Sequence, residues 1–353
     1  MHPMAFTEPT AVIVNPRSAH GRTRKHLPYL QHTLEERLAE PLFLVTESPG
    51  HATALVRDAL WRGYTRIISV GGDGTHFEVV NGFFDGARAI NPDAVLVVLP
   101  FGTGSDLART LSIPKGRRSL DFVTSQNVIR ADVGRITCAM EKDRGEVMNY
   151  FMSTCRIGIG GEVVDLVNAQ SKAYGGFLTY LWGTLQALWR YRDKPMEIWI
   201  DGLRIQQVVK ELVLANGQYD GGGMHVAPNA QLDDGLFDIY VIGPIGLADA
   251  LLNLPKIYRG QLRKRPDVVK YFRGRVVKVS SPECVKIQTD GEKPGVLPAT
   301  VEILPKAIRV VTGAAVVHQR MLAPVEDKVA AAYAGTPPLL PVGERSLLDR
   351  GLG

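Results

Sequence analysis

At 353 residues the chain exceeds one small domain, and about two domains is the expectation. Its 45% hydrophobic and 22% charged residues are those of an ordinary globular protein, and three scattered cysteines (Cys138, Cys155, Cys284) suggest neither a disulfide framework nor a zinc site. A formal net charge of +5 suits anionic substrates or membrane surfaces without demanding either, and no known nucleic-acid-binding motif accompanies it. No basic stretch followed by an apolar core precedes residue 11, so no signal peptide is expected. The longest apolar-looking segment, 177–189, is interrupted by threonine, glycine and glutamine and is too short to span a bilayer. A reducing cytoplasm is the default location.

Residues 11–14 form the first expected strand, ending at Asn15-Pro16-Arg17-Ser18 and then His20-Gly21-Arg22. Small and basic residues after a buried strand suit a phosphate or nucleoside contact, with a plain surface loop as the alternative. Helical spacing follows at 27–38, a second strand at 42–46 and a second helix at 51–61. Residues 65–70 are a β-branched run with no charge after Arg66, the pattern of a strand buried on both faces. It stops at Gly71-Gly72-Asp73-Gly74-Thr75, and the spacing of Phe77, Val80 and Phe84 predicts a helix from His76. Three glycines let a ligand approach the backbone closely, and N–H groups at a helix start favour anions. Asp73 would repel phosphate unless a divalent cation such as magnesium sits between them. A lone GGDG is equally compatible with a turn that binds nothing.

A fourth strand at 93–99 runs into Pro100-Phe101-Gly102-Thr103-Gly104-Ser105-Asp106, and another helix starts at 107. Strands alternating with helices predict a doubly wound parallel sheet, whose ligands bind beyond the carboxyl ends of the strands. Both glycine-rich turns follow such ends. Each offers a hydroxyl (Thr75, Thr103) and a carboxylate (Asp73, Asp106) to a common crevice.

From about residue 131 the texture changes. Segments 197–203, 207–215, 236–242, 275–280, 284–288 and 300–304 are short, β-rich and separated by glycine, proline or aspartate turns, which predicts an antiparallel sandwich. Two helical stretches interrupt it. One, 163–189, carries Phe177, Tyr180, Leu181, Trp182, Leu185, Leu188 and Trp189; the other, 246–265, ends in Arg259, Arg263, Lys264 and Arg265. Together they suit the mouth of a lipid site at a membrane surface, the alternative being core packing and a cation-rich helix end. The expected division is 10–130, 131–320 and a tail at 321–353.

Two polar loops complete the second half. Asp233-Asp234-Gly235-Leu236-Phe237-Asp238 resembles an oxygen-ligand cation loop, or a tight turn before a strand. Thr289-Asp290-Gly291-Glu292 sets two carboxylates about a glycine, either of which could act as general base toward a substrate hydroxyl within reach.

In combination these motifs resemble the diacylglycerol kinase catalytic-domain family, in its bacterial lipid kinase branch, which is itself similar to sphingosine and ceramide kinases. The resemblance is carried in order, over residues 10–312, by the Asn15-Pro16 loop, GGDGT at 71–75, PFGTGSD at 100–106, GIGGEVV at 158–164, GGGM at 221–224, DDGLFD at 233–238 and DGE at 290–292. It implies an N-terminal α/β nucleotide domain, like that of NAD kinases and phosphofructokinases, a C-terminal β-sandwich and an active site between them. It implies nucleotide contacts at Asn15, Pro16, Arg17, Ser18 and Ala19, at Thr46, at Gly71, Gly72, Asp73, Gly74, Thr75, His76 and Phe77, and at Thr103. Glu292 becomes the proton acceptor for a lipid hydroxyl, with Asp290 not excluded. Asp73 and Asp106 would organise a catalytic magnesium. A structural magnesium would be bound by Asp234 with the backbone carbonyls of Gln231 and Leu236. One departure stands out: the family pattern has asparagine where this chain has Ser105.

The implied reaction is transfer of the γ-phosphate of ATP to a lipid hydroxyl, with diacylglycerol, a sphingoid base or phosphatidylglycerol as acceptor. The implied setting is the cytoplasm, with peripheral contact at the inner face of the membrane and a homodimer both compatible. A NAD kinase-like enzyme is the runner-up, disfavoured by the aromatic stretch at 177–189. A catalytically silent lipid- or nucleotide-binding regulator is the reading from another class, and nucleic-acid binding is the weakest.

Overall fold

Four short apolar strands carry the first half of the computed structural model, which describes residues 6–142, 145–169, 186 and 188–313. Strands β1 (Thr10–Val14), β2 (Leu42–Val45), β3 (Arg66–Gly71) and β4 (Val95–Pro100) pair in parallel in the order β4-β3-β1-β2. Alternation along each strand serves both faces. Val12, Val14, Ile68, Val70, Val97 and Leu99 pack with Leu30 and Leu34 of α1 (Arg22–Arg37). Ile13, Ile67, Leu96 and Val98 meet Val56 and Ala59 of α2 (His51–Trp61) and Val79 and Val80 of α3 (Asp73–Gly82). Burial on two faces is why these strands read as continuous apolar runs.

A short helix α4 (Asp106–Thr110) leads to the second half: β5 (Val128–Ala139), β6 (Glu146–Phe151), β7 (Thr154–Gly158), α5 (Ile159–Ala169), β8 (Lys194–Ile200), β9 (Leu203–Val209), β10 (Glu211–Ala215), β11 (Phe237–Ile242), α6 (Leu247–Tyr258), β12 (Val269–Gly274), β13 (Val276–Ser280), β14 (Ile287–Thr289) and β15 (Val296–Val311). Strand β15 pairs antiparallel with β5 and β13, and then Arg309 and Val310 pair parallel with Val95 and Leu96 of β4. One ten-stranded sheet results, in the order β9-β8-β13-β15-β4-β3-β1-β2, with β5 joined to β15 and β6 to β5. A five-stranded antiparallel sheet, β12-β11-β10-β7-β14, completes the fold. Its Leu212, Leu214, Ile239 and Val241 share a core with Ile198, Val277, Val279 and Val301 of the large sheet, which is the expected antiparallel sandwich.

Several details differ from the sequence reading. Helix α3 begins at Asp73 rather than His76, so three residues of the GGDGT turn are helical. The run expected at 207–215 divides at Lys210, whose N–H is taken by the Ile242 carbonyl, and its two parts enter different sheets. The helix expected at 246–265 stops at Tyr258, with Gly260 in the left-handed region (φ 70°). Phe177, Tyr180, Leu181, Trp182 and Leu185, and the tail expected at 321–353, lie outside the described residues.

Candidate active site

Strand β3 delivers the chain to Gly72, which is extended (φ −107°, ψ −175°), and α3 starts at the next residue. The first turn of a helix leaves N–H groups without intrahelical partners, and here those groups belong to the GDGT residues at the carboxyl edge of the sheet. The second glycine turn lies against the first. The Phe101 N–H donates to the Gly71 carbonyl (2.8 Å), and a Cβ on Gly102 would collide with the Gly72 backbone. Only glycine permits that approach.

Asn15, at the end of β1, holds a third loop against this cradle. Its Nδ2 donates to Thr75 Oγ1 (3.0 Å), and its Oδ1 accepts the Arg17 N–H (2.9 Å). Ala19 (φ 51°), His20 (φ 59°) and Gly21 (φ 80°) are successively left-handed, an unusual run for residues with a Cβ. Pro16 is buried, Arg17 exposed, and Ser18 and Ala19 half-buried. Thr46 is buried at the end of β2, where its N–H donates to the Val14 carbonyl (2.9 Å). These loops from β1, β2, β3 and β4 stand at one edge of the sheet. Thr103 is exposed on the second turn, and its carbonyl accepts from Lys115 Nζ (3.0 Å).

His76 turns away from the cradle. Its ring is buried, Nδ1 lies 2.7 Å from Ser69 Oγ, and burial lowers its pKa to about 4 although Asp73 pulls the other way. Phe77 is half-buried one residue on.

The two loop carboxylates have unequal surroundings. Asp73 accepts the N–H groups of Ser105 (2.5 Å) and Asp106 (2.8 Å), and so ties α3 to the start of α4. Each of its oxygens keeps a second lone pair, so the carboxylate can still meet a cation. Asp106 is buried, with Oδ1 accepting from Arg109 Nη1 (2.6 Å) and Oδ2 from the Gly222 N–H (2.7 Å). Burial, then the charges of Asp73 and Asp220, raises its pKa to about 7. Asp106 therefore fastens the second turn to the GGGM loop, and the Arg109 guanidinium already supplies it with a cation. Ser105 is left-handed (φ 75°), a region asparagine tolerates better than serine, and its buried hydroxyl finds no partner among the described residues.

The DGE turn brings the second half to the same place. Thr289 and Glu292 exchange two backbone hydrogen bonds of 2.8 Å around Asp290 (φ 46°) and Gly291 (φ 91°). Two positive φ values in a two-residue loop are the type I′ hairpin that Asp-Gly favours. Asp290 turns inward, where its carboxylate accepts the N–H groups of Met152 (2.8 Å), Ser153 (2.9 Å) and Thr154 (2.8 Å). Glu292 turns toward the cradle: a Cβ on Gly74 would lie 2.8 Å from Glu292 Oε1. Glu292 is exposed at the surface, yet the atoms crowded about its carboxyl, then the charge of Glu78, raise its pKa from the ordinary value. Glu78 itself accepts the Gly50 (2.8 Å) and Ala52 (3.1 Å) N–H groups at the start of α2.

The expected structural magnesium set does not fit. Asp234 Oδ1 accepts the Leu236 N–H (3.0 Å) and Oδ2 is paired with the Arg273 guanidinium, so the one carboxylate of the expected set is already engaged and neutralised. Gln231 is exposed. Asp132, buried beside the loop, accepts the Gly235 (2.6 Å) and Lys306 (2.7 Å) N–H groups. Among the described residues no group of three or more His, Cys, Asp or Glu is poised to hold a metal.

Sequence reasoning passed over Arg109, Lys115, Asp220 and Arg273. Arg109 had one local signal, its i+3 spacing from Asp106; the others meet their partners only through the tertiary fold. Arg156 joins Asp220 (3.0 Å) to Glu211 (2.6 Å) in a buried network behind the GGGM loop.

Residues 9–136 match the family model described as the diacylglycerol kinase catalytic domain, and residues 153–312 match that of the YegS C-terminal NAD kinase beta sandwich-like domain. Over residues 9–136 the chain thus matches the diacylglycerol kinase catalytic-domain family. Within this family it is 29% identical to the diacylglycerol kinase of Bacillus subtilis (strain 168) over 305 residues, 85% of this chain and 95% of that protein. The Staphylococcus carnosus (strain TM300) diacylglycerol kinase is 27% identical over 302 residues, 85% of this chain and 94% of that protein. A crystal structure of a diacylglycerol kinase from Bacillus anthracis str. Sterne superposes with a TM-score of 0.69 at 25% identity, covering 88% of this chain and 99% of that one. The matched catalytic domain and these relatives mark the chain as an ATP-dependent kinase.

Proposed function

We propose that this chain transfers the γ-phosphoryl group of ATP, taken as its magnesium complex, to the hydroxyl of diacylglycerol. The carrying observation is Glu292 beside Gly74, with its hairpin neighbour Asp290 committed to three backbone N–H groups. The first-turn amides of α3 hold the phosphates, and Asn15 through Thr75 keeps the adjoining loop against them. Glu292 accepts the acceptor's hydroxyl proton as the oxygen–phosphorus bond forms and the bond to the β-phosphate oxygen breaks, leaving ADP and a phosphorylated lipid. Magnesium, when bound with the nucleotide, neutralises charge on the phosphates, and Asp73 is the carboxylate placed to meet it. The relatives named as diacylglycerol kinases support this acceptor.

The test is a radiolabelled-ATP assay with purified protein, magnesium and micelles of diacylglycerol, a sphingoid base or phosphatidylglycerol, with NAD as polar control. Label in diacylglycerol is the expected result. Label in another lipid moves the acceptor assignment, and label in NAD alone overturns the lipid reading.

A further inference from the structure

Three consecutive glycines leave the 220–224 loop little means of fixing its own shape. Asp220 and Met224 close it by exchanging backbone hydrogen bonds (3.0 and 2.9 Å), and between them Gly221 (φ 60°), Gly222 (φ 82°) and Gly223 (φ 114°) are all left-handed. Without a Cβ at three positions, such a loop is conformationally permissive. Yet it joins the two halves of the site. The Gly222 N–H donates to Asp106 Oδ2 (2.7 Å), and Gly223 lies against the Arg109 guanidinium, where a Cβ would come within 3.3 Å of Cζ.

The loop is restrained at its base by a buried charge network. Arg156, in the middle of β7, donates from Nε and Nη2 to both carboxylate oxygens of Glu211 on β10 (2.7 and 2.6 Å), and from Nη1 to Asp220 Oδ2 (3.0 Å). Arg156, Glu211 and Asp220 are only 8%, 6% and 4% exposed. Gly160, at the start of α5, leaves room for them: a Cβ there would lie 2.7 Å from Glu211 Oε1 and 3.1 Å from Arg156 Nε. Apolar residues of similar volume commonly replace buried ion pairs without loss of stability, so the network is better explained by the single conformation that its directed bonds select. Strand β7 also serves the DGE hairpin. Its Thr154 N–H holds Asp290 (2.8 Å), and its Cys155 and Arg156 pair with Thr289 and Gln288 of β14. Asp220 stands near enough to Asp106 and to Asp290 for its charge to act on both.

We infer that Asp220, clamped by Arg156, is a positioning residue for phosphoryl transfer: it sets the GGGM loop, and through it Asp106, relative to the strand that holds the Glu292 hairpin. It acts through Asp106 and not on the reacting atoms. The cradle keeps its own ties without it, from Asn15 to Thr75 and from Asp73 to the Ser105 and Asp106 N–H groups. Loss of Asp220 therefore spares nucleotide binding and spoils the alignment of the bound phosphate with Glu292. The inference rests on the proposed transfer reaction for its purpose, but the restraint on the loop can be measured without catalysis.

Asp220→Ala removes the restraint and leaves Arg156 paired with Glu211, whereas Asp220→Asn keeps an oxygen for Arg156 Nη1. In the full chain, Asp220→Ala is expected to lower kcat for diacylglycerol labelling about a hundredfold, the cost of a small misplacement away from the chemistry, with ATP affinity by calorimetry unchanged. Asp220→Asn should recover most of that loss. Hydrogen–deuterium exchange of Asp220→Ala should quicken over residues 218–226 and not over 71–77. Combined with Asp106→Asn, its effect on kcat should be less than multiplicative, because both substitutions break one connection. Wild-type kcat in Asp220→Ala, a parallel loss of ATP affinity, or independent effects in the double variant overturns the inference. Should Asp220→Ala fail to fold, Arg156→Lys, which keeps the charge and loses the planar fork, is held to the same kcat and exchange outcomes. Should wild type label no lipid, the acceptor reading falls, and exchange still decides the restraint: quickening over 218–226 supports it and unchanged exchange overturns it.

Discussion

Glu292 and Asp290 are two residues apart and chemically alike, yet the hairpin gives them different work. Asp290 spends its oxygens on the 152–154 backbone, so Glu292→Gln should remove the base and leave the cradle intact. Transfer should fall about 10²- to 10⁴-fold while nucleotide affinity by calorimetry is unchanged. Because the Glu292 pKa is raised, kcat should climb with pH through a value above that of an ordinary glutamate, and that limb should vanish in the variant. The sequence alone could not divide the pair. Side-chain direction in a two-residue turn depends on both left-handed φ values and on what the far strand offers, here three free amides. Nor could it show His76 facing the core, since its partner Ser69 lies on the preceding strand.

Loop 231–238 shows what local pattern leaves out at the level of an element. Clustered aspartates suggested a cation, and a cation is there, but it is the guanidinium of Arg273 from β12. EDTA should therefore leave the melting temperature where magnesium leaves it. Arg273→Met strips the counter-charge from Asp234 and from buried Asp238 (3.8 Å from Arg273 Nε) and should cost about 1–2 kcal/mol by urea unfolding, below the value for a fully buried pair because Arg273 is partly exposed. Strand β15 teaches a related lesson. Pro298 and Pro305 make the sequence look interrupted, so only 300–304 was read as strand, whereas the register shifts near both prolines carry the ladder across sixteen residues. The parallel strands were legible because burial on both faces leaves an unbroken apolar run. Strands β5 to β7 mix polar and apolar residues, and went unread.

Across the whole molecule, the halves are held at the site by groups that prefer to be uncharged. Asp106 has an ordinary value of 3.8 when unfolded and about 7 in the fold. Its contribution to stability is thus complete below the unfolded value and is lost as pH rises through about 7. Between about pH 5 and pH 8 the melting temperature of wild type should fall more steeply than that of Asp106→Asn. The division into a parallel half and an antiparallel half was legible from texture. Their fusion into one ten-stranded sheet was not, because nothing local in 296–311 says that its last residues return to Val95 and Leu96.

That return makes the first half an incomplete object. Without 296–311, strand β4 would present Val95, Val97 and Leu99 along an open edge flanked by buried faces, the arrangement that invites sheet-to-sheet aggregation. A fragment of residues 6–139 should accordingly be recovered as insoluble material and become soluble when co-expressed with 145–313. The genetic order of the chain and its order of assembly then differ: the nucleotide cradle is among the first parts synthesised and among the last that can be finished.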